Sequence, residues 1–264
     1  MSDQPESGFQ LRRLDDDVAL FTLARPAKLN SLTKAMLDGL GDALDALPDQ
    51  GVRVLIVTGE GDKSFCAGTD LAEIRGMERD ARLAKNKMAR ELFFRLSRSP
   101  LMSIAALNGL AYGGGLELAM ACTFRLARPH VRVSLPEIKL GLLPAYAGTQ
   151  FLPAIVGRDR ALEMMITGRA VDSAEALAMG LLTRVVPADG ELIEHALAFA
   201  REFTIYSQPA IDAIRGCVDA AGATVTEQGL SVEDAAVTRV FQTDDAREGV
   251  AAFLEKRAPV FRHR

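Results

Sequence analysis

Residues 102–122 read MSIAALNGLAYGGGLELAMAC. The stretch 102–107 has the apolar, strand-forming character of a buried strand, the triplet Gly113-Gly114-Gly115 interrupts the pattern, and 116–122 resumes as the start of a buried helix. A strand feeding a helix through glycines lets a ligand approach the backbone closely, because no Cβ stands in the way. Glu117 places a charge in this run where an apolar residue is expected. A second such carboxylate is Glu137, among Leu135, Pro136, Ile138 and Leu140. A carboxyl desolvated in a low-dielectric pocket keeps its proton to higher pH, as a general acid or base working near neutrality requires.

Working outward, the N-terminal side alternates. Residues 18–23 read as a strand, and Met36, Leu37, Leu40, Leu44 and Leu47 form one face of a helix that Ser31 or Thr33 can cap. The β-branched run 52–58 predicts a buried strand closed by Gly59-Glu60-Gly61-Asp62, then a loop over 63–69. Residues 77–99 mix Arg, Lys and Glu with Leu, Met and Phe, which predicts a long, partly exposed helix ended by Pro100. Short strands are expected at 124–127 and 131–134. Beyond Gln150 helical patterns dominate, at 161–167, 173–179, 191–203 and 208–220. We therefore expect an α/β core, residues 1–190, carrying the site. A helical part, 191–264, then buries its apolar face against the core or another subunit.

Composition narrows the function classes. The 264 residues are 48% hydrophobic and 25% charged, with 31 basic against 35 acidic side chains and a net charge of −4. No overall positive field draws such a chain to nucleic acid or an anionic membrane. The polar, acidic first ten residues lack the features of a secretory signal, and no apolar run is long enough to span a bilayer, so a cytoplasmic location is expected. Cys66, Cys122 and Cys217 have no metal-ligand or redox spacing, and His130, His195 and His263 lie far apart, so neither disulfide nor metal is expected. Gly113 to Leu118 also lacks the last glycine of a dinucleotide fingerprint.

Four separated segments resemble the enoyl-CoA hydratase/isomerase family, also called the crotonase family. They are Arg25-Pro26-Ala27-Lys28-Leu29-Asn30-Ser31-Leu32, Ser64-Phe65-Cys66-Ala67-Gly68-Thr69-Asp70-Leu71, Asn108 through Leu118, and Pro136-Glu137 followed by Gly148-Thr149-Gln150. The tail, Thr243 to Gly249 and Phe253 to Arg257, is similar too. The resemblance implies a spiral of repeated strand-strand-helix turns, followed by helices that build a homotrimer or a dimer of trimers. It implies an acyl-CoA thioester as substrate and no cofactor beyond CoA itself.

By the same resemblance, Glu117 and Glu137 match the family's two catalytic glutamates, and the N–H groups of Thr69 and Gly114 its oxyanion hole. Gly114, opening a helix, has the helix's positive end behind it. Lys28 would approach the CoA phosphates, and Ala67, Gly68, Asp70 and Leu71 would touch adenine and pantetheine. Phe253 and Lys256 would reach CoA from a neighbouring subunit. Tyr146, and Met88 and Leu92 with Phe93 on the 77–99 helix, are expected to border the acyl pocket.

Blander readings compete. Glu117 could be a buried acid neutralised by Arg125 or Arg128, Glu137 a solvated loop carboxylate, Lys28 and Lys256 ordinary surface lysines, and Cys66 a buried thiol rather than a nucleophile. Two positions depart from the pattern: Ala145-Tyr146-Ala147 stands where many hydratases are glycine-rich, and Phe151 where a basic residue is frequent. The expected reaction is hydration of a trans-2-enoyl-CoA. The alternatives are a double-bond isomerase on the same scaffold, thioester hydrolysis or decarboxylation and, distantly, a nonenzymatic RNA-binding relative.

Overall fold

The strands Val18–Leu23 (β2), Val54–Gly59 (β3) and Met102–Leu107 (β5) are buried almost throughout, as parallel strands covered on both faces must be. In this computed structural model, which describes residues 7–204, 211, 215, 218 and 244–257, they form the centre of a six-stranded sheet. Its order is β1 (Phe9–Arg13), β2, β3, β5, β7 (Phe124–Ala127) and β10 (Arg184–Val185). Only β1, an edge hairpin partner of β2, runs antiparallel.

A second sheet of four short strands runs in the order β4 (Ser64–Cys66), β6 (Leu110–Tyr112), β8 (Arg132–Ser134) and β9 (Val171–Asp172). Each pass of the chain contributes a strand to the large sheet, a strand to the small one, and then helix. After β3 and β4 come α2 (Leu71–Arg75) and α3 (Arg79–Ser97); after β5 and β6 comes α4 (Gly114–Ala121); after β7 and β8 come α5 (Gly148–Val156) and α6 (Arg158–Thr167). This is the expected strand-strand-helix spiral.

Alternation along the strands divides the core. Leu55, Val57, Ala105 and Leu107 point toward α1 (Lys34–Ala46), α3 and α4 in the main cluster. Val54, Ile56, Ile104 and Ala106 point the other way, onto Leu192, Ala196 and Phe199 of α8 (Leu192–Thr204). The helix α7 (Ser173–Ala178) joins β9 to β10, and α9 (Asp244–Leu254) packs against the 3-10 turn Glu137–Leu140.

Several expected elements differ in detail. The 63–69 loop contains β4, whose three residues are too few to show a period. The long helix expected at 77–99 starts at Arg79, and Gly76 separates it from α2. Thr33, not Ser31, caps α1, accepting from the N–H of Met36. The helix expected at 208–220 lies almost entirely outside the described residues. No helix among the described residues is long and apolar enough to cross a membrane.

Candidate active site

Glu117 sits in the first turn of α4, 2% exposed, because every residue of this helix is buried between the two sheets and α5. Its Oε1 accepts the backbone N–H of Tyr146 at 2.8 Å and of Gly148 at 2.7 Å. Ala147, between those donors, takes a left-handed φ of 80°. The two arginines that could have neutralised Glu117 are engaged elsewhere. Arg125 donates to the carbonyls of Leu181 and Cys122, and Arg128 to those of Pro187 and Gly190.

Glu137 opens the 3-10 turn after β8. The residue is half-buried, but its Oε2 is sealed from solvent and has no hydrogen-bond partner. Burial raises its carboxyl to about 7. The solvated-loop reading therefore fails at the carboxyl end. Glu137 reaches the glycine triplet: a Cβ at Gly113 would stand 2.9 Å from its Oε1, and Gly113 holds φ 53°.

Two main-chain N–H groups belong to the segments that meet at the start of α4. Gly114 begins α4, so its N–H has no intrahelical acceptor. Thr69 pairs with Leu32 in a parallel bridge in which Leu32 donates to Gly68 and Asp70 donates to Leu32. That pattern turns the N–H of Thr69 away from Leu32. Gly68 brings the loop against the helix start, since a Cβ there would lie 3.4 Å from the nitrogen of Gly114.

Tyr146 links these parts. It is 2% exposed, its hydroxyl accepts from Thr69 Oγ1 at 2.7 Å, and its ring lies 3.0 Å from where a Cβ of Gly114 would be. Phe93 of α3 packs on it edge to face at 5.7 Å. Met88 and Leu92 belong to the adjacent stripe of α3. They line a cleft of about 350 Å³ against Leu37 and Gly41 of α1, and Phe93 beside them is the residue of this helix whose ring meets Tyr146.

The expected CoA-contact residues divide. Lys28 is exposed at the end of the 3-10 turn Pro26–Lys28, and the chain just after it lies along Ala67 and Gly68: Ala67 donates its N–H to the carbonyl of Leu29, and Leu32 donates to that of Gly68. Asp70 is already occupied. It caps α2 by accepting from Ala72 and Glu73, and it pairs with Arg25 at 2.9 Å, which together hold its carboxyl below the usual range despite burial. Leu71 opens α2, while Phe253 and Lys256 are exposed on and just past α9. Burial pushes the Cys66 thiol up to about 12, which suits a packed thiol rather than a nucleophile.

Asn30 and Asn108 had no assigned role in the sequence. Both donate to the carbonyl of Ser64, at 2.7 and 3.0 Å, and fix the loop that leads to Thr69. An asparagine within each of the family-like segments 25–32 and 108–118 was the available signal.

The enoyl-CoA hydratase/isomerase family model matches residues 13–264. The chain belongs to this family. It is 38% identical over 253 residues to a Bacillus subtilis protein named "Probable enoyl-CoA hydratase", covering 94% of this chain and 96% of that one. It is 34% identical over 248 residues to a crotonyl-CoA hydratase of Syntrophomonas wolfei, covering 94% and 95%. Among solved structures, a carnitinyl-CoA hydratase from Mycobacterium avium superposes with TM-score 0.86 at 33% identity, over 98% of this chain and 100% of that one. An enoyl-CoA hydratase from Bacillus anthracis gives 0.78 at 34% identity, over 97% and 100%.

Proposed function

We propose that this protein is an enoyl-CoA hydratase that adds water across the double bond of a trans-2-enoyl-CoA, giving a 3-hydroxyacyl-CoA. The observation that carries this is two carboxyl groups in unlike surroundings at the glycine triplet, Glu137 reaching Gly113 and Glu117 in the first turn of the helix that Gly114 opens. Glu117 accepts two backbone N–H bonds on one oxygen, a role suited to an ionised carboxylate. Glu137 is desolvated and holds its proton to about pH 7.

The thioester oxygen is placed between the N–H groups of Thr69 and Gly114, which stabilise the charge that builds there as the β-carbon is attacked. Glu117 takes a proton from water as its oxygen bonds to the β-carbon, and Glu137 gives its proton to the α-carbon. Exchange with solvent then restores both groups. Adding water to a double bond activated in this way calls for no redox cofactor, and CoA is the substrate's handle. Among the described residues no cluster of His, Cys, Asp and Glu could hold a metal ion.

Lys28 and the loop of Ala67, Gly68, Asp70 and Leu71 form the CoA side of the site, with Asp70 shaping the loop through Arg25 and its cap. In a homotrimer or a dimer of trimers, Phe253 and Lys256 are supplied by a neighbouring subunit. Residues 1–190 carry the site and 191–264 the assembly surface, although α8 also covers the sheet.

The test is to mix purified protein with crotonyl-CoA, follow the conjugated thioester absorbance and identify the product by mass. Gain of one water is expected, with Glu117→Gln and Glu137→Gln each losing roughly two to four orders of magnitude in kcat. A double-bond shift without added water would replace hydration by isomerisation. Near-full activity in Glu137→Gln would remove that residue from the mechanism.

A further inference from the structure

A cavity of about 210 Å³ lies between α2, α3, α9 and the chain just past Glu137. Its lining mixes the apolar Ile74, Leu142 and Leu254 with Arg75, Arg82 and Arg247. It is too small for CoA and fits the end of a short chain. The segments that build the site also build this cavity. Ile74 and Arg75 stand on α2, roughly 6 to 8 Å along the axis from its cap Asp70, the residue after Thr69. Leu142 donates its N–H to the carbonyl of Glu137 at 3.0 Å. Arg82 belongs to α3, which further along presents Phe93 to Tyr146.

Glu255, the acid in its lining, pairs with Arg257 at 2.7 Å, and the nearby Glu73 is held by the buried Lys85 and by the N–H of Lys34. Arg82 Nε is buried with no hydrogen-bond partner. A desolvated guanidinium N–H without an acceptor is unfavourable, and a carboxylate satisfies it with two parallel bonds.

We infer that the cavity receives the far end of the acyl group and that this end carries a carboxylate. The preferred substrates are then 2-enoyl-CoA thioesters of dicarboxylic acids, with Arg82 as the specificity-determining residue. This rests on the hydratase reading for the place of the thioester.

The test uses two saturated thioesters of equal chain length, adipoyl-CoA and hexanoyl-CoA, titrated into the full-length protein by calorimetry. Neither is hydrated, so the outcome is independent of the reaction assigned above. Adipoyl-CoA is expected to bind about tenfold tighter or more, the advantage collapsing toward parity in Arg82→Gln and partly returning in Arg82→Lys. Equal binding by the unaltered protein, or tighter binding of hexanoyl-CoA, overturns the inference. An adipoyl advantage that persists undiminished in an Arg82→Gln protein of native Tm overturns the role of Arg82. Loss of crotonyl-CoA hydration alongside a retained adipoyl preference would sink only the reaction reading.

Discussion

Gly148 donates its N–H to Oε1 of Glu117 at 2.7 Å, and a methyl group at Gly148 would stand 2.7 Å from that same oxygen. Donor and obstacle coincide, so only glycine can hold the carboxylate here without displacing it. We expect Gly148→Ala to shift Glu117 and lower kcat about a hundredfold, with KM nearly unchanged. Steady-state kinetics on crotonyl-CoA checks this, and a change confined to KM would contradict it.

Glu137 gives a pH signature. Its folded-state carboxyl titrates near 7 against an ordinary value of 4.5. As an acid it must be protonated, so kcat/KM for hydration should fall as pH rises through about 7. For stability the sign is the same. Between about pH 4.5 and 7 the unfolded chain gives up this proton while the folded one keeps it, so stability declines across that window and levels off above it. Glu137→Gln should remove that part of the slope, measured by urea unfolding at the two ends of the window.

Tyr146 carries two separable contributions. Tyr146→Phe removes the bond from Thr69 and should cost about 1 kcal/mol of stability while leaving acyl preference in place. Tyr146→Ala deletes the ring beside Gly114 and Phe93, and should cost about 3 to 5 kcal/mol while raising kcat/KM for longer enoyl-CoA thioesters relative to crotonyl-CoA. An unchanged chain-length profile in Tyr146→Ala would show that the ring does not border the acyl chain.

Ala147 holds φ 80°, a conformation that costs an L-residue roughly 1 to 2 kcal/mol relative to glycine. Ala147→Gly is therefore expected to raise Tm by a few degrees, allowing for the extra entropy of glycine in the unfolded chain. Thermal unfolding decides it.

The strands β2, β3 and β5 were legible because burial on both faces leaves an unbroken apolar run, and Glu117 because a carboxylate inside such a run is conspicuous. Glu137 was harder to read, since a carboxylate followed by Lys139 looks the same whether its oxygens are wet or sealed. Which residue of the 79–97 helix turns its ring to Tyr146 was not legible, because one step along a helix rotates the side chain by about a quarter of a circle. The donors from Tyr146 and Gly148 to Glu117 were invisible because main-chain groups carry no letter in the sequence. Ala145-Tyr146-Ala147 stood out as a departure, but that it wraps a carboxylate is a property of tertiary contact.

The groups that we propose polarise the thioester, the N–H of Thr69 and of Gly114, belong to the main chain, fixed by the bridge to Leu32 and by the start of α4. No single substitution short of proline deletes an N–H group. Heritable variation can therefore exchange carboxylates around a constant electrophile-activating frame. A lineage built on this scaffold can change what is done to the activated acyl group without relearning how to activate it.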